Sequence, residues 1–120
     1  MSEWTVTGFA SLSATDRDRV DVVRQACESA EPLDLKLELD EGEPSGAPIH
    51  FLAEADGELI GYAGITPGDE AEACGMVTPA WRGRGVGTEL LNHVLGSGRR
   101  FGRESVLFYT QNKTSIQRWW

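Results

Sequence analysis

Three glycines and two arginines share a stretch of six residues, RGRGVG at positions 82–87. Glycine has no Cβ, so Gly83, Gly85 and Gly87 allow several backbone N–H groups to converge on one point. The stretch stands where an apolar, strand-like segment changes into a helical pattern, and a helix N-terminus adds N–H donors and a partial positive charge. With the two guanidinium groups beside them, these features predict a loop that binds a pyrophosphate group.

The longer run VTPAWRGRGVGT resembles the acetyl-CoA-binding signature of the GNAT acyltransferase superfamily, in which R-x-x-G-x-G follows a strand that ends in V-x-P. Arg82, Gly85 and Gly87 match the three signature residues, and Val77 and Pro79 match the end of the strand. The resemblance implies that acetyl-CoA is the acyl donor. It also implies that the cofactor-binding residues are Arg82, Gly83, Arg84, Gly85, Val86, Gly87 and Thr88.

Two other interpretations of the loop compete with acetyl-CoA binding. A glycine-rich surface turn with solvated arginines would need none of the flanking context. A dinucleotide-binding loop should begin with a glycine and carry an acidic residue about 20 positions further on, where this chain has Arg103 and then Glu104. The context of the motif favours the acetyl-CoA loop over both.

Acetyl transfer to nitrogen needs a neutral amine and a hydrogen-bond donor for the charge that develops on the acetyl oxygen. By the resemblance, that donor is the backbone N–H of Met76 or Val77. Glu70 and Glu72 are the carboxylates of this strand, and Glu72 is the candidate general base. Strand alternation sets Glu72 and Val77 on opposite faces, so Glu72 can act as the base only if a bulge, with Gly75 as its expected place, shifts the register.

A general acid must protonate the leaving thiolate. In the family a tyrosine on the last helix often acts as this general acid. The matching residue here is Trp119, which cannot donate that proton. Tyr109 is the candidate replacement, with packing in the core as its alternative. Asn112, by its place after the last strand, resembles a residue that contacts the cofactor arm, and a helix cap is its alternative.

Hydrophobic periodicity predicts the strands that position these residues. They are residues 4–9, 49–55, 59–66, 70–77 and 105–110. The dipeptide Asp56-Gly57 predicts a tight turn that joins the second and third strands into a hairpin. The alternating leucines of residues 33–39 favour an extended segment, although the resemblance implies a helix or a loop there, and residues 41–48 read as a loop.

Two helices are predicted between the strands. Ser13 or Thr15 caps the first, and its apolar stripe is Val20, Val23 and Cys27. The second begins after the glycine-rich loop and ends either at Gly96 or at Gly102, of which we prefer Gly102.

The resemblance implies an α/β fold with a GNAT-like mixed central sheet flanked by helices. Residues 112–120 resemble the start of the last helix of that fold, and the chain stops inside it. We therefore expect a truncated product or fragment, or a chain that completes its sheet with another copy. An unpaired edge at residues 105–110 would favour a homodimer or docking of a partner domain.

Composition narrows the class of protein. A chain of 120 residues predicts a single domain, 1–120, and a net charge of -8 argues against a nucleic-acid partner. No apolar run approaches the ~20 residues that span a bilayer, no signal peptide begins the chain, and two cysteines suit a reducing compartment, so we expect a cytoplasmic protein. The two histidines, His50 and His93, lack the spacing of metal ligands.

Two functions are compatible with these observations. The first is an acetyl-CoA-dependent N-acetyltransferase acting on a primary amine of a small molecule or peptide. The second is a non-catalytic GNAT half-domain that binds CoA or supports a partner domain. The intact loop favours the first, whereas the missing tyrosine and the uncertain base favour the second.

Overall fold

The computed structural model describes residues 3–30, 48–66, 71–81, 83–100, 106–110 and 116–119. Within them the chain forms, in order, β1 (Thr5–Phe9), α1 (Ala14–Ala30), β2 (His50–Ala55), β3 (Glu58–Thr66), β4 (Ala71–Val77), α2 (Val86–Arg100), β5 (Val106–Thr110) and β6 (Ile116–Trp119). One turn of 3-10 helix, Pro79–Trp81, stands between β4 and α2. The predicted α/β class is confirmed.

The described strands form one sheet in the order β1-β2-β3-β4-β5-β6. Strands β4 and β5 are parallel, and the other neighbouring pairs are antiparallel. The sheet is therefore mixed, as predicted. A parallel pair needs a crossover connection, and α2 supplies it between β4 and β5.

The predicted hairpin joins β2 and β3. Its two turn residues, Asp56 and Gly57, have φ angles of 52° and 79°. Positive φ at both central residues defines the turn whose twist matches a two-residue hairpin, and Asp-Gly is a preferred sequence for it. The local sequence thus determines the turn and the pairing beside it, Ala55 with Glu58 and Glu54 with Leu59, and the register shifts by one residue beyond Glu54.

Helix α1 begins after its predicted cap. The backbone N–H of Asp16 donates to Oγ of Ser13 at 3.1 Å, and the N–H of Arg17 donates to the Ser13 carbonyl at 2.9 Å. The predicted stripe is buried in a cluster with the sheet residues Leu52, Leu59, Tyr62 and Met76. We call this side of the sheet the α1 face.

Helix α2 packs on the opposite side, the α2 face. Its residues Val86, Leu90 and Val94 are buried against a purely apolar set from β2, β3 and β4, namely Ile49, Phe51, Ala53, Ala55, Ile60, Ala63, Ile65, Ala73 and Val77. The helix continues through Gly96 to Arg100, so an end at Gly96 is excluded. Ser97, the next residue, is buried, and its hydroxyl donates to the Pro48 carbonyl at 2.8 Å. This contact stabilises the helix beyond Gly96. Gly102 lies outside the described residues.

The predicted last helix is wrong over residues 116–119. These residues form β6, antiparallel to β5, with Val106 opposite Trp119 and Tyr109 opposite Ile116. The outer edge of β5 would otherwise expose its backbone donors and acceptors, and the β-favouring residues Ile116 and Trp119 suit a strand there. The edge expected to be unpaired is therefore paired, and dimerisation stays a prediction. The leucine-rich residues 33–39 lie outside the described part of the chain.

Candidate functional site

The glycine-rich loop connects the 3-10 turn to α2. Gly83 and Gly85 have φ angles of 78° and 97°, a region that side chains with a Cβ rarely adopt. A Cβ at Gly83 would meet nothing within 4 Å, and one at Gly85 would meet only the Trp4 ring, at 3.9 Å. Backbone conformation, rather than crowding, is thus the reason for glycine at both positions.

The loop ends as the N-terminus of α2. The carbonyl of Gly85 accepts the first helical hydrogen bond, from the N–H of Glu89 at 3.1 Å. The next three residues are therefore the first turn, whose N–H groups have no acceptor within a helix. Gly87 and Thr88 are exposed, whereas the Val86 side chain is buried and only its backbone can face the loop. A glycine cap offers no side-chain acceptor, so this turn is suited to an anion.

The cationic residues of the loop are Arg82 and Arg84. The guanidinium carbon of Arg84 lies 4.7 Å from the ring centre of Trp81, a cation–π contact, and its Nη1 lies 3.7 Å from a carboxylate oxygen of Glu3. The Arg84 side chain is about half exposed and remains accessible. Arg82 lies outside the described residues.

Sequence reasoning missed Trp4. Its ring meets Trp81 edge to face, with 6.3 Å between ring centres, and its indole N–H donates to Oε1 of Glu89 at 3.3 Å. An isolated tryptophan before the first strand carries no signal of a contact with a loop that is distant in sequence. The contact follows from the sheet, which carries the start of β1 beside the start of α2.

At the other side of the loop, β4 continues beyond its described ladder with β5. That ladder runs from Ala71 opposite Val106 to Gly75 opposite Thr110. Met76 and Val77 follow it. The N–H of Thr78 donates to the carbonyl of Ile60 on the β3 side at 2.8 Å.

Successive peptide groups of a strand point to opposite edges, so the N–H of Met76 is directed to β3 and that of Val77 to the β5 side. The carbonyl of Val77 accepts a hydrogen bond from the buried Cys27 thiol of α1 at 3.4 Å. Of the two predicted donors, Val77 is therefore the one directed to the β5 side.

The bulge expected at Gly75 is not present in the β3–β4 pairing. The register is continuous from Gly61 opposite Val77 to Thr66 opposite Glu72. Alternation assigns Glu72 to the same face as Met76, which is the α1 face. The physical reason is the unbroken antiparallel ladder, which leaves no extra residue in β4.

The α1 face of the sheet carries a row of titratable residues near Glu72. His50 Nδ1 and the Tyr62 hydroxyl share a hydrogen bond of 2.8 Å, and both side chains are buried. Burial raises the pKa of the Cys74 thiol to about 12. Burial and the neighbouring Cys74 raise the pKa of the Tyr62 hydroxyl. The Cys74 thiol and the Tyr62 hydroxyl are therefore uncharged at neutral pH.

Tyr109 pairs with Cys74 in the parallel β4–β5 ladder. Aligned residues of neighbouring strands share a face. Asn112 lies outside the described residues. Among the described residues, no group of three His, Cys, Asp or Glu side chains could hold a metal ion. None of the helices described here is long and apolar enough to span a bilayer.

Known proteins resemble this chain in sequence and in fold. A mycothiol acetyltransferase from Nocardia farcinica is 44% identical over 92 residues, which is 69% of this chain and 30% of that protein. The chain thus spans less than a third of this curated relative.

Two solved structures share the fold. A GCN5-related N-acetyltransferase from Sphaerobacter thermophilus has a TM-score of 0.68 at 21% identity, over 91% of this chain and 38% of that one. A GNAT family acetyltransferase from Brucella melitensis in complex with acetyl-CoA has a TM-score of 0.61 at 19% identity, over 88% of this chain and 74% of that one. The sequence profile of the acetyltransferase (GNAT) family matches residues 6–119. The mixed sheet, the crossover helix α2 and the glycine-rich loop are consistent with that match. The chain belongs to the acetyltransferase (GNAT) family.

Proposed function

We propose that this chain binds acetyl-CoA and transfers the acetyl group to a primary amine of a small molecule or peptide. The observation that carries the proposal is the loop at residues 83–85, whose two left-handed glycines lead into the N-terminus of α2 beside the end of β4. The acetyl-CoA complex of the Brucella melitensis structure supports the same donor. The name of the Nocardia farcinica relative favours a small-molecule acceptor.

On the donor side, the loop residues would hold the pyrophosphate. The N–H groups of Gly87 and Thr88 lie in the first turn of α2, and Arg84 is accessible beside them. Arg82 and Asn112 complete the proposed set. Acetyl-CoA supplies an activated acetyl thioester when bound. The N–H of Val77 would donate to the acetyl oxygen as negative charge develops there.

On the acceptor side, we propose the α1 face of β4. The α2 face is closed, because Ala73 and Val77 are buried against α2, whereas Cys74 on the α1 face is only partly buried. Glu72 shares that face, so it needs no bulge to meet an amine that approaches there. Its carboxylate would take the amine proton, and Tyr109, on the neighbouring strand, would protonate the leaving thiolate.

The alternative is a half-domain that binds CoA without catalysis. One observation favours it: residue 119, which the resemblance matches to the family's proton-donating tyrosine, is a tryptophan in a strand. Calorimetric titration with CoA, followed by an assay for thiol released from acetyl-CoA with a panel of amines, separates the two. Binding with amine-dependent thiol release supports the enzyme, binding alone supports the half-domain, and no binding contradicts both.

A further inference from the structure

Trp4 lies before the first strand, yet it contacts residues on both sides of the glycine-rich loop and lies near the loop itself. Its ring packs edge to face on Trp81 before the loop. The same ring lies 3.9 Å from where a Cβ would stand at Gly85, the last loop residue. Its indole N–H donates to Oε1 of Glu89, in the first turn of α2. One side chain thus spans the loop from its start to its end.

Glu89 is an unusual neighbour for an anion site. A carboxylate in the first turn stabilises a helix, because it interacts favourably with the positive end of the helix dipole. The same charge repels a pyrophosphate at that end. The Glu89 side chain is partly buried, and the Trp4 indole is the donor that holds it. The direction of that carboxylate therefore matters to the loop.

We propose that Trp4 is a positioning residue for the cofactor loop: its ring supports the backbone at Gly85, and its N–H holds the Glu89 carboxylate away from the bound phosphates. The proposal rests on the proposed acetyl-CoA site and adds a residue to it. Arg84 is held separately, by Trp81 and Glu3, so it does not depend on the indole N–H. Loss of that N–H should act on affinity through the charge of Glu89.

A double-mutant cycle tests this coupling. Trp4→Phe keeps an aromatic ring and removes the donor, and we expect the Kd for CoA to rise about five- to tenfold, since a freed carboxylate can turn to the phosphates. Glu89→Gln removes the charge, and we expect binding up to about threefold tighter than that of the wild type. In the double variant the penalty of Trp4→Phe should fall to about twofold or less, because no charge remains to repel the ligand.

A control separates positioning from a purely structural role. Phe9→Leu alters an aromatic residue at the end of β1, packed on the α1 face away from the loop. It should lower Tm and leave the CoA Kd unchanged. If Trp4 were only structural, Trp4→Phe would behave like this control, and its effect would be equal with and without Glu89.

Each outcome decides a different point. Unchanged CoA affinity in Trp4→Phe, or an equal loss in both Glu89 backgrounds, overturns the positioning role and leaves the proposed function standing. A wild-type protein that does not bind CoA overturns both. If Trp4→Phe fails to fold, Glu89→Gln alone still decides, since weaker CoA binding in that variant contradicts the repulsion on which the proposal depends.

Discussion

Gly83 in the glycine-rich loop and Gly57 in the β2–β3 turn have almost the same φ angle. Their φ angles are 78° and 79°, and a Cβ at either position would meet nothing within 4 Å. An alanine would therefore cause similar backbone strain at both sites, about 1–2 kcal/mol, without a clash at either. The shared φ angle and the open space at both glycines make them a matched pair.

We expect Gly83→Ala and Gly57→Ala to lower the free energy of unfolding by similar amounts. Only Gly83→Ala should weaken CoA binding, by about fivefold or more, a cost on the order of 1 kcal/mol. Its strain changes the direction of the loop N–H groups, whereas the hairpin turn touches no part of the site. Urea unfolding and calorimetry with CoA measure the two effects. Equal CoA affinities in the two variants would remove the loop from the binding site.

Gly64 makes room for the Tyr62 hydroxyl. An added Cβ at Gly64 would lie 2.9 Å from Cζ of Tyr62 and closer still to its oxygen. We expect Gly64→Ala to destabilise the fold by about 1–3 kcal/mol, because it forces Tyr62 from its hydrogen bond with His50. Tyr62→Phe removes the oxygen, so Gly64→Ala should cost less in that background. Urea unfolding of the four proteins tests this, and additive costs would show that the hydroxyl is not the obstacle.

Glu72→Gln tests the proposed base. Acetyl transfer should fall by about two or more orders of magnitude in kcat, because the amine keeps its proton, while CoA affinity stays the same. Glu58→Gln is the matched control, since Glu58 is an exposed carboxylate beside the hairpin turn. Steady-state kinetics of all three proteins would exclude Glu72 if the two variants were equally active.

The raised pKa of Cys74 predicts how its thiol reacts. A free cysteine has a pKa of about 8.5, whereas burial raises the pKa of Cys74 to about 12. Alkylation of Cys74 by iodoacetamide should therefore rise about tenfold per pH unit through pH 10 without a plateau, because the thiolate is the reactive form. Peptide mass spectrometry locates the label, and a plateau near pH 9 would contradict the raised pKa of Cys74.

The raised pKa of Cys74 also makes the free energy of unfolding depend on pH. The folded protein favours the protonated thiol more than the unfolded chain does, so this contribution is complete below the unfolded pKa and is lost as the pH rises from about 9 towards 12. Cys74→Ala should reduce the loss of unfolding free energy over that range. An identical pH dependence in the variant and the wild type would rule out this contribution.

Local chemistry was sufficient for much of the fold. Asp56-Gly57 specifies its turn, Ser13 caps α1, and three loop glycines mark the N-terminus of α2, because each of these depends on the conformations open to a few adjacent residues. The same locality explains the wrong prediction at Ile116 and Trp119. Their short segment is compatible with helix and strand, and the edge of β5 decides between them.

The chemistry of the candidate site depends both on the local sequence and on the tertiary structure. From its sequence alone, the chain specifies the loop, the strand before it and the carboxylate at Glu72. Only the tertiary structure decides that β4 pairs with β3 without a bulge, that the Thr78–Ile60 hydrogen bond leaves the N–H of Val77 directed to the β5 side, and that Trp4 lies against Trp81 and Glu89. These relationships join residues distant in sequence, and sheet register and helix packing, which no local pattern encodes, bring them together.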